Sequence, residues 1–331
     1  MNPIPSPQEF LQEEAKKVST LLEGGRFSHP KINEMYSHVI ATGRRLRGVL
    51  LLLSCRVVGG DSEKLLPVAA SIELIHKATL VHDDIIDESE IRRGNKTFHI
   101  VYEGELALVF GDLLYGKALD FLKNLNKNFN PDEVGFCYDK IAEAYKNIYV
   151  GQYLDLSFEG GNLPSEKEFL RMLYLKTGVL IETSAMIGTK LGGGTEKEIK
   201  ALSSYAKNIA VGFQIQNDLN SILGHEKKMG LKQGTDIYQG KCSIPLINCC
   251  NSNEEAKQEM MRMLKKEDRN RADILKLTKI LRENKSIEYA EDMVESLLSK
   301  ARKSLQPLRE SKVKDFLVSM TDRNIHKWYW S

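Results

Sequence analysis

Two short stretches place oxygen donors one helical turn apart in apolar surroundings. In VHDDIID, Asp83 and Asp87 stand four residues apart. A helix carries such a pair on one face, with Asp84 turned about 100° from Asp83. Carboxylates so close repel one another unless hard divalent cations lie between them. Mg²⁺ takes one or two carboxylates and completes its shell with phosphate oxygens and water. Much later, FQIQNDLNSIL repeats the spacing in a softer form, with Asn217, Asp218 and Ser221. Together with Gln214 these fall within an arc of about 100° on a helix. An amide carbonyl and a hydroxyl can both ligate Mg²⁺, but each removes negative charge and weakens the site. Taken alone, the first cluster also fits an exposed acidic turn at a helix end.

Basic residues flank the first cluster. His76 lies two turns before Asp83, and Arg92 and Arg93 follow where the helix should end. Acids that hold metal beside guanidiniums that hold phosphate oxygens imply a polyphosphate ligand. Upstream, ATGRRLRG supplies Gly43, Arg44, Arg45 and Arg47. A basic cluster at a helix start is ordinarily a solvated face, and here it gains meaning as a second diphosphate site alongside the first.

The elements that must position these groups read as helices. Ser165 with Glu168, Thr195 with Glu198, and Ser252 with Glu255 have capping-box spacing, which predicts helix starts at all three. Gly and Pro cluster between the periodic runs, as in EGGNLPSE and LGGGTEKE, and alternating strand patterns are scarce. An all-α bundle around a central cleft is expected, with residues 1–331 as one domain. The apolar run VLLLLSC from Val49 is far too short to span a bilayer. A net charge of +2 with 28% charged residues gives no ground for nucleic-acid binding. The five cysteines lack metal or CxxC spacing and read as buried thiols of a reducing compartment. MNPIPSPQEFLQEEAKK has neither a signal core nor transit-peptide composition, so a cytoplasmic protein is expected. The tail from Lys300 to HKWYWS reads as a solvated last helix with a docked aromatic end.

The chain resembles the trans-isoprenyl diphosphate synthases, the head-to-tail prenyltransferases. The resemblance runs from about Gly43 to Pro245 and rests on GRRLR, ELIH with VHDDIID, RRG, GQYLDL, YLKTG, and GFQIQND with GTDIYQGKCSIP, in family order. It implies the isoprenoid synthase fold and Mg²⁺-assisted ionisation of an allylic diphosphate. Attack by isopentenyl diphosphate and loss of a proton then follow. It further implies a catalytic set of Asp83, Asp84, Asp87, Lys176 and Lys241. Metal ligands would be Asp83 and Asp87, with Asn217, Asp218 and Ser221 as the softened second site. Arg92, Lys176, Thr177, Gln214 and Lys241 would hold the allylic diphosphate, and Gly43, Arg44, Arg47, His76 and Arg93 isopentenyl diphosphate. Arg44 stands where the family often has Lys. Lys232 matches a further phosphate contact, supported by Asp236. Gln152 and Asp155 match the family too, and as neighbours three apart they equally fit a packed polar pair.

In the family, bulky aromatics four and five residues before the first Asp close the pocket early. Those positions are Thr79 and Ala78 here, which implies a product of twenty carbons or more, with Phe110, Leu114 or Ile148 as candidates for a deeper floor. The family is usually homodimeric, so a homodimer is the default. Three readings stay open at the second cluster: an active synthase whose third Mg²⁺ is held by Asn217 and the diphosphate, a partner subunit of a heteromeric synthase, or a class I terpene cyclase. The cyclase motif wants an acid at position 225, where His225 stands, and Glu226 falls about 100° off that face. GRRLR, His76 and Arg93 would be idle in a cyclase, which favours the synthase.

Overall fold

The computed structural model describes residues 7–92, 94–158, 163–224, 234, 240–266 and 270–322, with side chains from residue 11 onward. Helices carry almost all of the regular structure, as the sequence leads one to expect: α1 Pro7–Gly24, α2 Pro30–Ile40, α3 Leu46–Val58, α4 Leu66–Ile86, α5 Phe98–Tyr102, α6 Gly104–Asp120, α7 Pro131–Ser157, α8 Glu166–Leu173, α9 Val179–Leu191 and α10 Glu196–Leu223. After these come α11 Ile244–Ser252, α12 Glu254–Leu264, α13 Arg271–Glu283, α14 Ser286–Ser304 and α15 Lys312–Ser319. Among the described residues the only strands are Ile91–Arg92 and Asn95–Lys96, an antiparallel pair with Gly94 at φ +79° in its turn. The sequence gives no warning of this hairpin, because two residues are too few to show an alternating pattern.

The chain divides into two compact units. One comprises Met1–Tyr145, Thr183–Ser203 and Pro307–Phe316; the other comprises Lys146–Glu182, Ser204–Gln306 and Leu317–Ser331. In the first unit α4 packs along α6 and also against α3 and α1. Every residue from Val68 to Ile75 is buried. Helix α3 is likewise buried from Gly48 to Cys55, with Arg47 and Arg56 half-buried on either side of that run. Helix α9 meets α3 backbone to backbone, since a Cβ on Gly188 would stand 2.1 Å from the Leu51 carbonyl oxygen. In the second unit α11 packs on α14 and α12, and α8 packs on α11. Tyr205, wholly buried, donates its hydroxyl to the Leu317 carbonyl at 2.9 Å.

Two of the three expected capping boxes form. Ser165 and Glu168 cap α8 reciprocally, and Thr195 and Glu198 exchange the same bonds ahead of α10. The third does not. Helix α11 runs on through Ser252, whose hydroxyl bonds back to the Asn248 carbonyl at 2.7 Å, and Asn253 caps α12 by accepting from the Ala256 N–H at 3.0 Å. Asn253 adopts the extended backbone that a cap requires, with φ −147°, and its short amide does the work of the serine hydroxyl.

All five cysteines are free; Cys55, Cys137, Cys249 and Cys250 are buried and Cys242 is half-buried. Burial pushes the thiols of Cys55 and Cys250 up from 9.0 to about 11, and those of Cys137 and Cys242 to about 12. The unfolded chain therefore loses these protons first as the pH rises. Stability from this source is complete below pH 9 and is lost between about pH 9 and about pH 12. The urea midpoint is expected to fall as the pH is raised from about 8 to about 10.5, with alkylation by iodoacetamide slow until the chain unfolds. Rapid labelling of the native protein at the lower pH would contradict this burial.

Candidate active site

Helix α4 is buried on most sides, so the stripe that escapes burial stands out. His76, Thr79, Leu80 and Asp83 are half-buried, whereas Lys77, Ala78, Val81 and Asp84 are buried. Offsets of three, four and seven residues put the first set on one face. Asp87 ends the helix on that face as its C-cap, its N–H bonded to the Asp83 carbonyl at 2.8 Å. Asp84 turns elsewhere and is 4% exposed. Arg92, from the small hairpin, donates Nε to Asp84 Oδ1 at 2.7 Å and brings Nη2 to 3.5 Å from Asp83 Oδ2. Burial pushes the Asp84 carboxyl above its ordinary range, and the Arg92 guanidinium opposes that rise. Asp84 thus fixes Arg92 beside the carboxylate face. The hairpin is itself tied down: Ser89 N–H bonds the Asp84 carbonyl at 3.0 Å, and Thr97 N–H the Glu90 carbonyl at 2.9 Å.

The basic loop between α2 and α3 belongs to the same unit. Gly43 has φ +118° and Arg45 φ +56°, a left-handed path that costs a side-chain-bearing residue free energy and needs support. Arg45 supplies it. Only 4% exposed, Arg45 donates Nη1 to the Thr42 carbonyl at 2.9 Å, Nη2 to the Ile40 carbonyl, and Nε to Ser19 Oγ at 3.1 Å. From α4, Glu73 Oε1 accepts the Gly48 N–H at 2.9 Å. Arg44 is left exposed and Arg47 half-buried. The sequence shows three arginines in a row of four; only the fold shows that the middle one builds the loop.

In the second unit, α8 and α9 are joined through one wide turn, Tyr174–Gly178, in which the Val179 N–H reaches the Tyr174 carbonyl. A turn of this π type inserts an extra residue, and such turns occur frequently at functional sites. It carries Lys176 and Thr177. Helix α7 presses on it closely, since a Cβ on Gly151 would fall 2.3 Å from the Lys176 backbone nitrogen. Asp155 holds Lys176 through an ion pair at 2.6 Å. Gln152, one turn earlier, has a buried Nε2 that makes no hydrogen bond among the described residues, a donor suited to an anionic oxygen.

Helix α10 places Gln214, Asn217 and Asp218 half-buried, with Asn217 Nδ2 3.5 Å from Gln214 Oε1. Ser221 is buried, 5% exposed, and its carbonyl accepts the Gly234 N–H at 2.6 Å. Gln216 and Asn220 form a separate buried amide pair at 3.1 Å. Lys241 is half-buried just ahead of α11. Arg93, Lys232, Asp236, His225 and Glu226 lie outside the described residues.

Ala78 is fully buried, and Thr79 bonds its hydroxyl to the His76 carbonyl at 2.8 Å. Of the residues proposed as a deeper floor, Phe110 is committed to a stack with Phe98 at 4.9 Å between ring centroids. Leu114 and Ile148 are buried.

No three His, Cys, Asp or Glu side chains converge into a cation site among the described residues. Asp83 and Asp87 form a smaller, all-oxygen donor pair on one face. Such a pair fits a hard divalent ion that draws its remaining ligands from phosphate and water, and does not fit one that needs thiolate or several imidazoles.

The polyprenyl synthetase family model matches residues 29–281. The chain is 32% identical over 291 residues to a geranylgeranyl diphosphate synthase of Methanosarcina mazei, covering 88% of each protein. It is 36% identical over 287 residues to a geranylgeranyl pyrophosphate synthase of Geoglobus acetivorans, covering 87% of this chain and 88% of the relative. Among solved structures, the geranylgeranyl pyrophosphate synthetase of Pyrococcus horikoshii superimposes with a TM-score of 0.89 at 31% identity, over 96% of this chain and 97% of the other.

The contact between Gly151 and the wide turn yields a test. Gly151→Ala must push α7 off Lys176 and disturb the Lys176–Asp155 pair. Calorimetric titration with inorganic pyrophosphate and Mg²⁺ should show binding weakened about tenfold or more, the scale of one lost charge-assisted contact. Unchanged affinity would remove Lys176 from the anion site.

Proposed function

The chain belongs to the polyprenyl synthetase family, and on that premise we propose that it is a trans-isoprenyl diphosphate synthase that extends an allylic diphosphate with isopentenyl diphosphate to a product of twenty carbons or more. The observation that carries this reading is the half-buried face of His76, Thr79, Asp83 and Asp87 with Arg92 held beside it. That face offers metal-binding acid, a diphosphate-binding guanidinium and an apolar helix in one place.

The chemistry needs no nucleophilic side chain. The C1–O bond of the allylic diphosphate breaks and its electron pair leaves with the diphosphate. The double bond of isopentenyl diphosphate then attacks the allylic cation, and a proton lost from the adduct restores a double bond. Mg²⁺, when bound, supplies positive charge to the departing diphosphate. Asp83 and Asp87 would hold the ion, with Asn217 and Asp218 as a second set of lower charge. Arg92, Lys176, Thr177, Gln214 and Lys241 would stabilise charge developing on the leaving group, the largest electrostatic demand of the reaction. Lys176 enters preoriented by Asp155, so little reorganisation is needed at the moment of ionisation. Gly43, Arg44, Arg47 and His76 would bind isopentenyl diphosphate, and the buried apolar flank of α4 would keep water from the cation.

Other features support the remainder of the reading. Helices α7, α9 and α10 each contribute residues to both compact units, which supports 1–331 as one catalytic domain. On α6, Leu106, Val109 and Leu119 are exposed large apolar residues, and Gly116 has nothing within 4 Å of a would-be Cβ. An apolar helical stripe with a small residue in it suits the close approach of a second copy, which supports a homodimer. No helix among the described residues is long and apolar enough to cross a membrane; a cytoplasmic location is part of the proposal.

The direct test is incubation of the purified protein with Mg²⁺, labelled isopentenyl diphosphate and allylic diphosphates of increasing length, with chromatography of the products. Elongated diphosphates are expected, and hydrocarbons formed without isopentenyl diphosphate would place the protein among cyclases instead. Asp83→Ala should cut turnover by about a thousandfold or more with the thermal midpoint little changed, because it removes a ligand and not a packed side chain. Thr79→Phe should shorten the product by at least one five-carbon unit, and an unaltered product would place the floor elsewhere.

A further inference from the structure

Lys207 on α10 and Tyr174 at the start of the wide turn meet side chain to side chain. Lys207 Nζ lies 4.5 Å from the centre of the Tyr174 ring, within the range at which the face of an aromatic ring attracts a cation. The ring in turn lies over Gly178, the last residue of the turn. A Cβ on Gly178 would stand 3.0 Å from Tyr174 Cδ2 and 3.8 Å from the Ala210 Cβ. Glycine thus leaves room for the ring and lets the turn come close to α10. Lys207, Ala210, Gln214, Asn217, Asp218 and Ser221 fall within an arc of about 100° on that helix. The face on which the wide turn packs is therefore the face that carries the second oxygen cluster, and Gln214 lies only two turns, about 10 Å, beyond Lys207.

A lysine at an exposed helix position, as Lys207 is, ordinarily extends into water, and one cation over one ring adds little to the stability of a fold. Its place gives this contact a different value. Lys176 and Thr177 follow Tyr174 in the turn, and Gln214 follows Lys207 on α10. From α7 the turn is already held through Gly151 and the Asp155–Lys176 pair; the ring holds it from α10. An anion that takes donors from both elements at once binds best when their spacing is fixed before it arrives, and a shift of about 1 Å is costly.

We propose that Tyr174 and Lys207 are positioning residues for the allylic diphosphate: their contact sets the spacing between the wide turn, with Lys176 and Thr177, and the Gln214 face of α10. The proposal rests on the reading of Lys176, Thr177 and Gln214 as donors to that diphosphate. Neither Tyr174 nor Lys207 acts on the reacting atoms, and their effect is confined to one substrate.

Two-substrate steady-state kinetics test it. Lys207→Gln should raise KM for the allylic diphosphate about threefold, the scale of one cation–ring contact. KM for isopentenyl diphosphate should not change, a split that loss of general packing does not produce. Tyr174→Leu should do at least as much, and the double variant should be no worse than Tyr174→Leu alone, because one contact can be lost only once. Lys207→Arg and Tyr174→Phe each preserve a cation over a ring and should restore KM to near the wild-type value. Should Tyr174→Leu fail to fold, the two Lys207 variants, at an exposed position, decide by themselves. The proposal is overturned if Lys207→Gln leaves KM for the allylic diphosphate unmoved, if both KM values rise together, if the two losses multiply in the double variant, or if Tyr174→Phe is as impaired as Tyr174→Leu. Lys176→Met separates the two levels of inference. If it leaves KM for the allylic diphosphate unchanged, the assignment of the turn itself fails; if it raises KM while Lys207→Gln does not, only the role of the Tyr174–Lys207 contact falls.

Discussion

The constraint on which this structure depends is the burial of α4. A helix enclosed by α1, α3 and α6 can end in like-charged carboxylates only if their repulsion is answered locally. Here the answer is Arg92, held to Asp84 and near Asp83. Around that ion pair the rest of the acidic end is arranged: a hairpin just long enough to return the guanidinium to the helix, and a threonine that ties the hairpin shut. One buried carboxylate is spent on orientation so that its neighbours can face outward.

The second unit meets the opposite demand with the same tools. Lys176 must remain charged in a half-buried place, and Asp155 accompanies it. The wide turn that bears Lys176 is wedged by a glycine of α7, so position is set by backbone contact and charge by an ion pair. In both units a carboxylate, Asp84 or Asp155, fixes where a basic side chain points. Arg45 does as much for the backbone of the basic loop, through the Thr42 and Ile40 carbonyls.

What the sequence discloses follows from range. Side chains on one helix face are related by the 3.6-residue period, so the His76–Asp83–Asp87 stripe and the Gln214–Asn217–Asp218 set are legible without coordinates. Helix starts are legible where the cap is a Ser or Thr three before a Glu, and misread at Ser252, where an asparagine one residue later competes successfully. Contacts across long separations leave no local trace. Asp155 with Lys176, Gly151 against the wide turn, Arg45 reaching Ser19 and Lys77 beneath Gly43 all join residues that no periodicity connects. Asp84 is the mixed case: its rotation from the acidic face is predictable, while its commitment to Arg92 needs a hairpin too short to announce itself.

The near-complete enclosure of α4 also governs how such a helix can change over time. Of its residues only Ile86, at the very end, is exposed. It therefore has almost no positions at which substitutions accumulate silently; nearly every replacement is felt either as altered packing or as altered chemistry. Divergence along it must proceed by exchange of volume at half-buried sites such as Thr79 and Leu80. A change of side-chain volume at such a site is one that a single step can make, in a segment otherwise closed to drift.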